Sequence, residues 1–206
     1  MASKAQKKAA KTKKRELILD AAIEVLAERG FAHTKIRNIA EAAGVADGTI
    51  YLYFKNKDEL LIHLFEDVMS RVLAMFQEAL GDRTRADEKL KVFLQTQIQM
   101  IEKEPSIAKI ISVVLRQSST FVQDYKNPLF SRYLHLIEEI LVEGIEQKLF
   151  RSDLNPEVLS RAVFGAVDEL TLAWLLSSRR EDTSLEQSVQ VITKLLLSGL
   201  APQAES

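Results

Sequence analysis

The 206 residues include no cysteine, which excludes a disulfide framework, a thiolate zinc site and a cysteine nucleophile. Histidine is nearly as scarce: His33, His63 and His135 stand too far apart for an HExxH or related ligand spacing, so no metal site is expected. No nucleophile–base pair and no phosphate-cradling glycine loop occurs, and no catalytic residue is assigned. Glycine (seven) and proline (four) are too few to punctuate a series of short strands, whereas 47% hydrophobic and 28% charged residues suit long amphipathic helices. No stretch approaches the roughly eighteen uninterrupted apolar residues of a membrane span. The basic start leads into an amphipathic pattern containing acids rather than into a signal-peptide core. A soluble, cytoplasmic chain with no membrane partner and no cofactor is therefore expected.

What is present is a charge asymmetry. The net charge is -1, yet residues 1–60 hold twelve Lys and Arg against eight Asp and Glu, and the remainder sixteen against twenty-one. The positive end is the candidate polyanion binder. Its first eleven residues are small, polar and basic, and no acid precedes Glu16. They form either a disordered solvated tail or an arm that grasps phosphates.

From Thr12 to Arg29, Leu17, Ile18, Ala21, Ala22, Val25 and Leu26 recur at three- and four-residue steps, and Gly30 supplies a C-cap. Thr34 is a candidate cap for a short second helix with Ile36, Ile39, Ala40 and Ala43 inward, broken at Gly44. A third piece, 46–54, places Ala46, Ile50 and Phe54 on one face and turns Gly48, Thr49, Tyr51 and Leu52 outward. Two short helices hinged at a glycine fit a helix-turn-helix, and equally an ordinary helical hairpin. Asn56 and Glu59 then read as a capping pair for a long fourth helix ending at Gly81. Further helices are predicted over 85–103, 106–118, 128–149, 156–179 and 184–200, with all four prolines at boundaries. The fold class is all-α, about nine helices, divided into a basic arm (1–11), a helix-turn-helix domain (12–56) and a helical ligand-binding and dimerisation domain (57–206).

The segment TKIRNIAEAAGVADGTIYLYFKNKDELL, from Thr34 to Leu61, resembles the DNA-binding region of TetR-family transcriptional repressors. It carries the Ile39-Ala40 pair, the Gly44-Val45 turn, the Gly-Thr-Ile-Tyr-x-Tyr-Phe run from Gly48 and the Asn-Lys-Asp-Glu-Leu-Leu start of the fourth helix. The resemblance implies an all-α homodimer that reads palindromic operator DNA through three N-terminal helices and holds an inducer in the C-terminal part. Chemistry agrees: Gly48 has no side chain to hold the helix off the major groove, and Thr49 and Tyr51 offer hydroxyls and apolar surface to bases and phosphates. Thr34, Lys35 and Lys57 are placed to meet phosphates, with Tyr53 as a further contact. Ala46, at the start of the third piece, is counted with them as a DNA contact. Asp47 departs from the basic or hydroxyl residue frequent there, and is either an acceptor for cytosine or a helix cap.

Three patches, GVADGTIYLYFKNKDELL, Leu115-Arg116-Gln117-Ser118 and FGAVDE from Phe164 with Trp174, resemble the branch that governs fatty-acid degradation and responds to long-chain acyl-CoA. A long acyl chain needs an apolar tunnel, for which Phe93, Ile110, Val114, Phe164 and Trp174 are candidates, although helical core is the default reading of each. Arg116 stands beside an apolar stripe, where it pairs either with an acid such as Asp168 or with a ligand phosphate; Gln117 adjoins it. For dimerisation, the last two helices offer Leu159, Val163, Ala166, Val167 and Leu170, then Leu185, Val189, Ile192, Leu195 and Leu196. The rivals are a TetR-like repressor of an efflux pump with a hydrophobic drug inducer, and a helical acyl-CoA or lipid carrier that binds no DNA.

Overall fold

The computed structural model describes residues 4–112, 128–177 and 184–202. Among them there are nine helical segments and no strand: α1 (Lys4–His33), α2 (Ile36–Ala42), α3 (Asp47–Tyr51), α4 (Lys57–Leu80), α5 (Ala86–Lys103), α6 (105–112), α7 (Pro128–Glu146), α8 (Pro156–Leu176) and α9 (Leu185–Leu200). No helix of the described residues is long and apolar enough to cross a membrane.

Local chemistry sets most of the boundaries. The Asn56 side chain accepts from the Glu59 amide at 2.7 Å, and the Glu59 carboxylate reaches back to the Lys55 amide, so α4 begins on a reciprocal cap shifted by one residue from the usual pairing. Asn155 caps α8 through the Val158 amide, with Pro156 as the first helical residue, and Ser184 caps α9 through the Gln187 amide. The first helix differs from its expected start. It begins at Lys4, so the basic stretch 4–11 continues α1 rather than standing apart from it, and its helical dihedrals break at Gly30 (φ 73°, ψ 164°).

The first three helices pack as a small head: Ile18, Leu19, Ala22, Ile23, Ile39, Ala40, Ile50 and Phe54 are all buried. The apolar stripe of α4, from Leu60 to Phe76, leaves this head and enters the core of α5–α9, so one buried cluster runs through both parts. The boundary drawn at residue 57 falls at the first residue of α4, and this helix packs into both parts.

Candidate nucleic-acid interface and effector region

The reading head is built from opposite faces of α2 and α3. Ile39, Ala40 and Ile50 turn inward, which leaves Ala46, Asp47 and Gly48 exposed, Tyr51 55% exposed and Leu52 76% exposed. Gly48 has helical dihedrals, and a Cβ built there would meet nothing within 4 Å; its lack of a side chain is required by nothing inside the fold. Thr49 and Tyr53 are half-buried, and Tyr53 packs against Phe54 with ring centroids 6.4 Å apart. Leu52, beside Tyr51, is the most exposed large apolar residue of the head, and its place on the outer face was already visible from the 100° periodicity.

The structure gives three of these residues local partners that the sequence did not indicate. Thr34 does not cap α2. It is 2% exposed, and its hydroxyl donates to the Gly30 carbonyl at 2.8 Å, because the break at Gly30 leaves that carbonyl facing the turn. The cap position belongs to Lys35, whose amide is bonded by the Asn38 side chain at 3.0 Å. Thr34 is thus a buried tie whose hydroxyl is engaged inside the head. Asp47 is not a cap either: Ala46 holds that position, and Asp47 supplies a negative charge to the first turn of α3. Lys57 opens α4, but its ammonium donates to the Phe31 carbonyl and lies 4.0 Å from the Phe31 ring centroid. Burial pushes its pKa down. A phosphate contact by Lys57 has to draw the ammonium from this internal partner.

Two elements link the head to the C-terminal helices. Arg71 of α4 bridges Asp20 of α1 at 2.9 Å and Asp67 at 2.8 Å. From α6, Ser106 donates to Glu24 at 3.3 Å and Lys109 to the Ala27 carbonyl at 3.5 Å, so both are engaged with α1. A displacement of α4 or α6 would therefore act directly on α1, against which α2 packs.

The C-terminal candidates fall into three groups. Phe93 is fully buried and stacked on Phe76 at 4.4 Å, and Ile110 is buried, so both belong to the packed core of the described residues. Phe164 meets Phe130 edge-on at 5.1 Å and Tyr133 at 6.0 Å, closing an aromatic block between α4, α5, α7 and α8. The Tyr133 hydroxyl donates to Gln97 at 3.2 Å; burial, reinforced by the negative charge of Asp168, holds its pKa far above the ordinary phenol value. A narrow crevice beside this block is bounded by Gln97, Ile101, Ala108, Ser112, Phe164 and Asp168. Tyr133 and Gln97 were missed by sequence reading because a buried tyrosine on a strong apolar stripe looks like filler. Trp174 is half-buried against the core. Val114, Arg116 and Gln117 lie outside the described residues, as does any pairing of Arg116.

The dimerisation candidates also divide. Val163, Val167, Leu185 and Val189 are buried within the single chain and cannot meet a second copy without unpacking. Leu159, Ala166, Leu170, Ile192 and Leu196 are half-buried. Leu195, a candidate, stands outward on α9, together with Val191 and, on α8, Val158 and Leu176, which the candidates did not include; each is 65–76% exposed. Periodicity mixed inner and outer positions of these helices, because the strongest apolar stripe packs intramolecularly. Among the described residues no group of His, Asp and Glu is arranged to hold a metal.

Comparison with known proteins accords with this geometry. Residues 18–64 match the model described as bacterial regulatory proteins, tetR family, and residues 65–199 that of a YsiA-like protein C-terminal region. The chain is 34% identical over 184 residues to the fatty acid metabolism regulator protein of Bacillus subtilis, covering 89% of this chain and 93% of that one. Among solved structures it is similar to the fatty acid degradation regulator FadR of Bacillus halodurans: TM-score 0.82, 35% identity, 91% of this chain and 96% of that one. It is also similar to FadR of Bacillus subtilis in complex with stearoyl-CoA: TM-score 0.79, 31% identity, 90% and 98% covered.

Proposed function

The chain belongs to the tetR family of bacterial regulatory proteins, and from that premise we propose that it is a dimeric repressor of fatty-acid degradation genes, released from a palindromic operator by a long-chain acyl-CoA. The observation that carries the ligand class is the likeness, over nine-tenths of the chain, to a regulator captured with stearoyl-CoA. Dimerisation is supported by the outward apolar residues of α8 and α9, which a second copy would cover as a four-helix bundle. Two heads about 34 Å apart, or a related spacing, then meet successive major grooves on one side of the duplex.

The mechanism is a population shift. An acyl chain entering beside Phe164 and Tyr133 has to part the aromatic block, since Phe93 and Phe76 are already in stacking contact. Parting it moves α4 or α6, and through Arg71, Ser106 and Lys109 moves α1 and the head it supports. The ligand favours release only to the extent that it binds the displaced state more tightly than the operator-competent one. The test is an anisotropy titration of the protein onto its own upstream DNA with free fatty acid, CoA, and acyl-CoA of several chain lengths. Release by long-chain acyl-CoA alone is expected; release by CoA or by free fatty acid alone, or by none of them, would overturn the proposed inducer.

A further inference from the structure

The first three turns of α1, about eleven residues at 3.6 per turn, bury none of their described side chains. Ile18 is the first buried residue, and every side chain described before Arg15 is exposed. The helix nonetheless runs back to Lys4, about 16 Å beyond Arg15 at 1.5 Å per residue. Its charge pattern opposes helix formation by an isolated chain: α1 has no acid in its first turn and none before Glu16, and positive charge at a helix N-terminus meets the positive end of the macrodipole. Lys8, Lys11 and Arg15 follow at three- and four-residue steps and share one face, and Lys14 flanks it, so like charges also repel along the helix.

That face is aligned with the reading head. The Lys11 ammonium lies 6.0 Å from the Tyr53 ring centroid and the Arg15 guanidinium 5.7 Å from that of Phe54, residues that directly follow α3. The stripe therefore adjoins the surface that presents Gly48 and Tyr51 and extends it beyond the end of α3. We propose that the N-terminal turns of α1 form a second, sequence-independent DNA contact, in which Lys8, Lys11 and Lys14 lie along phosphates outside the half-site read by α3.

A polyanion removes both objections to the helix at once, cancelling the like-charge repulsion and the clash with the macrodipole. Duplex DNA fits better than an anionic membrane, because the segment from Lys4 to Lys14 has no apolar residue larger than alanine to insert among lipids. Exposed lysines, acting as point charges, position without reading bases.

The inference rests on the head being an operator binder, and the experiment separates the two. Full-length protein and the K8Q/K11Q/K14Q variant, with Arg15 retained on Phe54, are titrated onto operator duplexes with and without ten flanking base pairs between 50 and 200 mM salt. The parent should bind the longer duplex more tightly. The variant should lose that gain, show a log K against log salt slope smaller by about 2–3 per protomer, and keep the parent's ratio of operator to random-sequence affinity. Unchanged slopes overturn the proposal, as does a collapse of the operator-to-random ratio, which would place the lysines in base reading. Equal binding of the parent to phosphatidylserine vesicles would move the stripe to a membrane. A parent with no preference for operator over random DNA would instead refute the operator reading itself.

Discussion

Gly48→Ala separates fold stability from DNA binding with one methyl group. The added Cβ meets no atom within 4 Å and the backbone is helical, so the folded head accommodates it without strain. Alanine exceeds glycine in helix propensity by about 1 kcal/mol in a helix interior, and by less in the first turn of a five-residue helix such as α3. A gain of about 0.5 kcal/mol corresponds to a melting midpoint 1–2 °C higher for a chain of roughly this length. The methyl projects instead from the face that has to approach base edges, and a tenfold loss of operator affinity, about 1.4 kcal/mol, is the expected minimum. Gly48→Leu should lose more affinity at similar stability. Circular dichroism melts and operator anisotropy at one fixed salt concentration measure both quantities. A variant that melts higher and binds as well as the parent would refute the placement of Gly48 at the groove.

Other substitutions probe the remaining assignments. Gly144→Ala should destabilise by about 1–3 kcal/mol in urea denaturation, since its Cβ would fall 1.9 Å from the Phe150 ring folded over it; an unchanged midpoint would contradict that packing. Thr34→Val should cost about 1–2 kcal/mol by leaving the Gly30 carbonyl unpaired, with Thr34→Ser recovering most of it and operator affinity within threefold of the parent; a large affinity loss at full stability would make Thr34 a phosphate contact. Tyr133 is held protonated by burial, with its folded pKa above the unfolded value of about 10. Its contribution is complete below pH 10 and is lost as pH rises past that value. Stability measured from pH 9 to 11.5 should fall more steeply in the parent than in Tyr133→Phe, and parallel curves would refute the buried phenol.

Much of this architecture was legible because it is written in local chemistry. Asn56 and Glu59 announce the start of α4, Asn155 and Pro156 that of α8, and Gly81 ends α4, all features that act within one helical turn. The head was legible for a second reason: Ile39, Ala40, Ile50 and Phe54 fix which faces turn inward, and Gly48 and Tyr51 are left outside by default. Misreadings arose where one local signal had two uses. Thr34 has the composition of a cap, but the break at Gly30 gives its hydroxyl a nearer acceptor. The apolar stripes of α8 and α9 are wide enough for both a core and an outer face, and periodicity cannot say which residues a neighbouring helix takes first. The start of α1 was missed because Lys4–Lys11 has no apolar repeat to detect. The Tyr133–Gln97 bond joins residues 36 positions apart and the aromatic block draws on four helices, pairings that tertiary packing alone brings about.

The central claim is that one chain holds two sites, an operator-reading head and an acyl-CoA site, each weakening the other. Thermodynamic linkage makes this a single measurement taken in two directions: operator affinity with and without saturating stearoyl-CoA, and stearoyl-CoA affinity with and without saturating operator. The account predicts that each ligand weakens the other by the same factor, at least tenfold. Tight binding of both with a factor of one would contradict it, leaving a DNA-binding protein and a lipid-binding protein in one chain with no regulation between them.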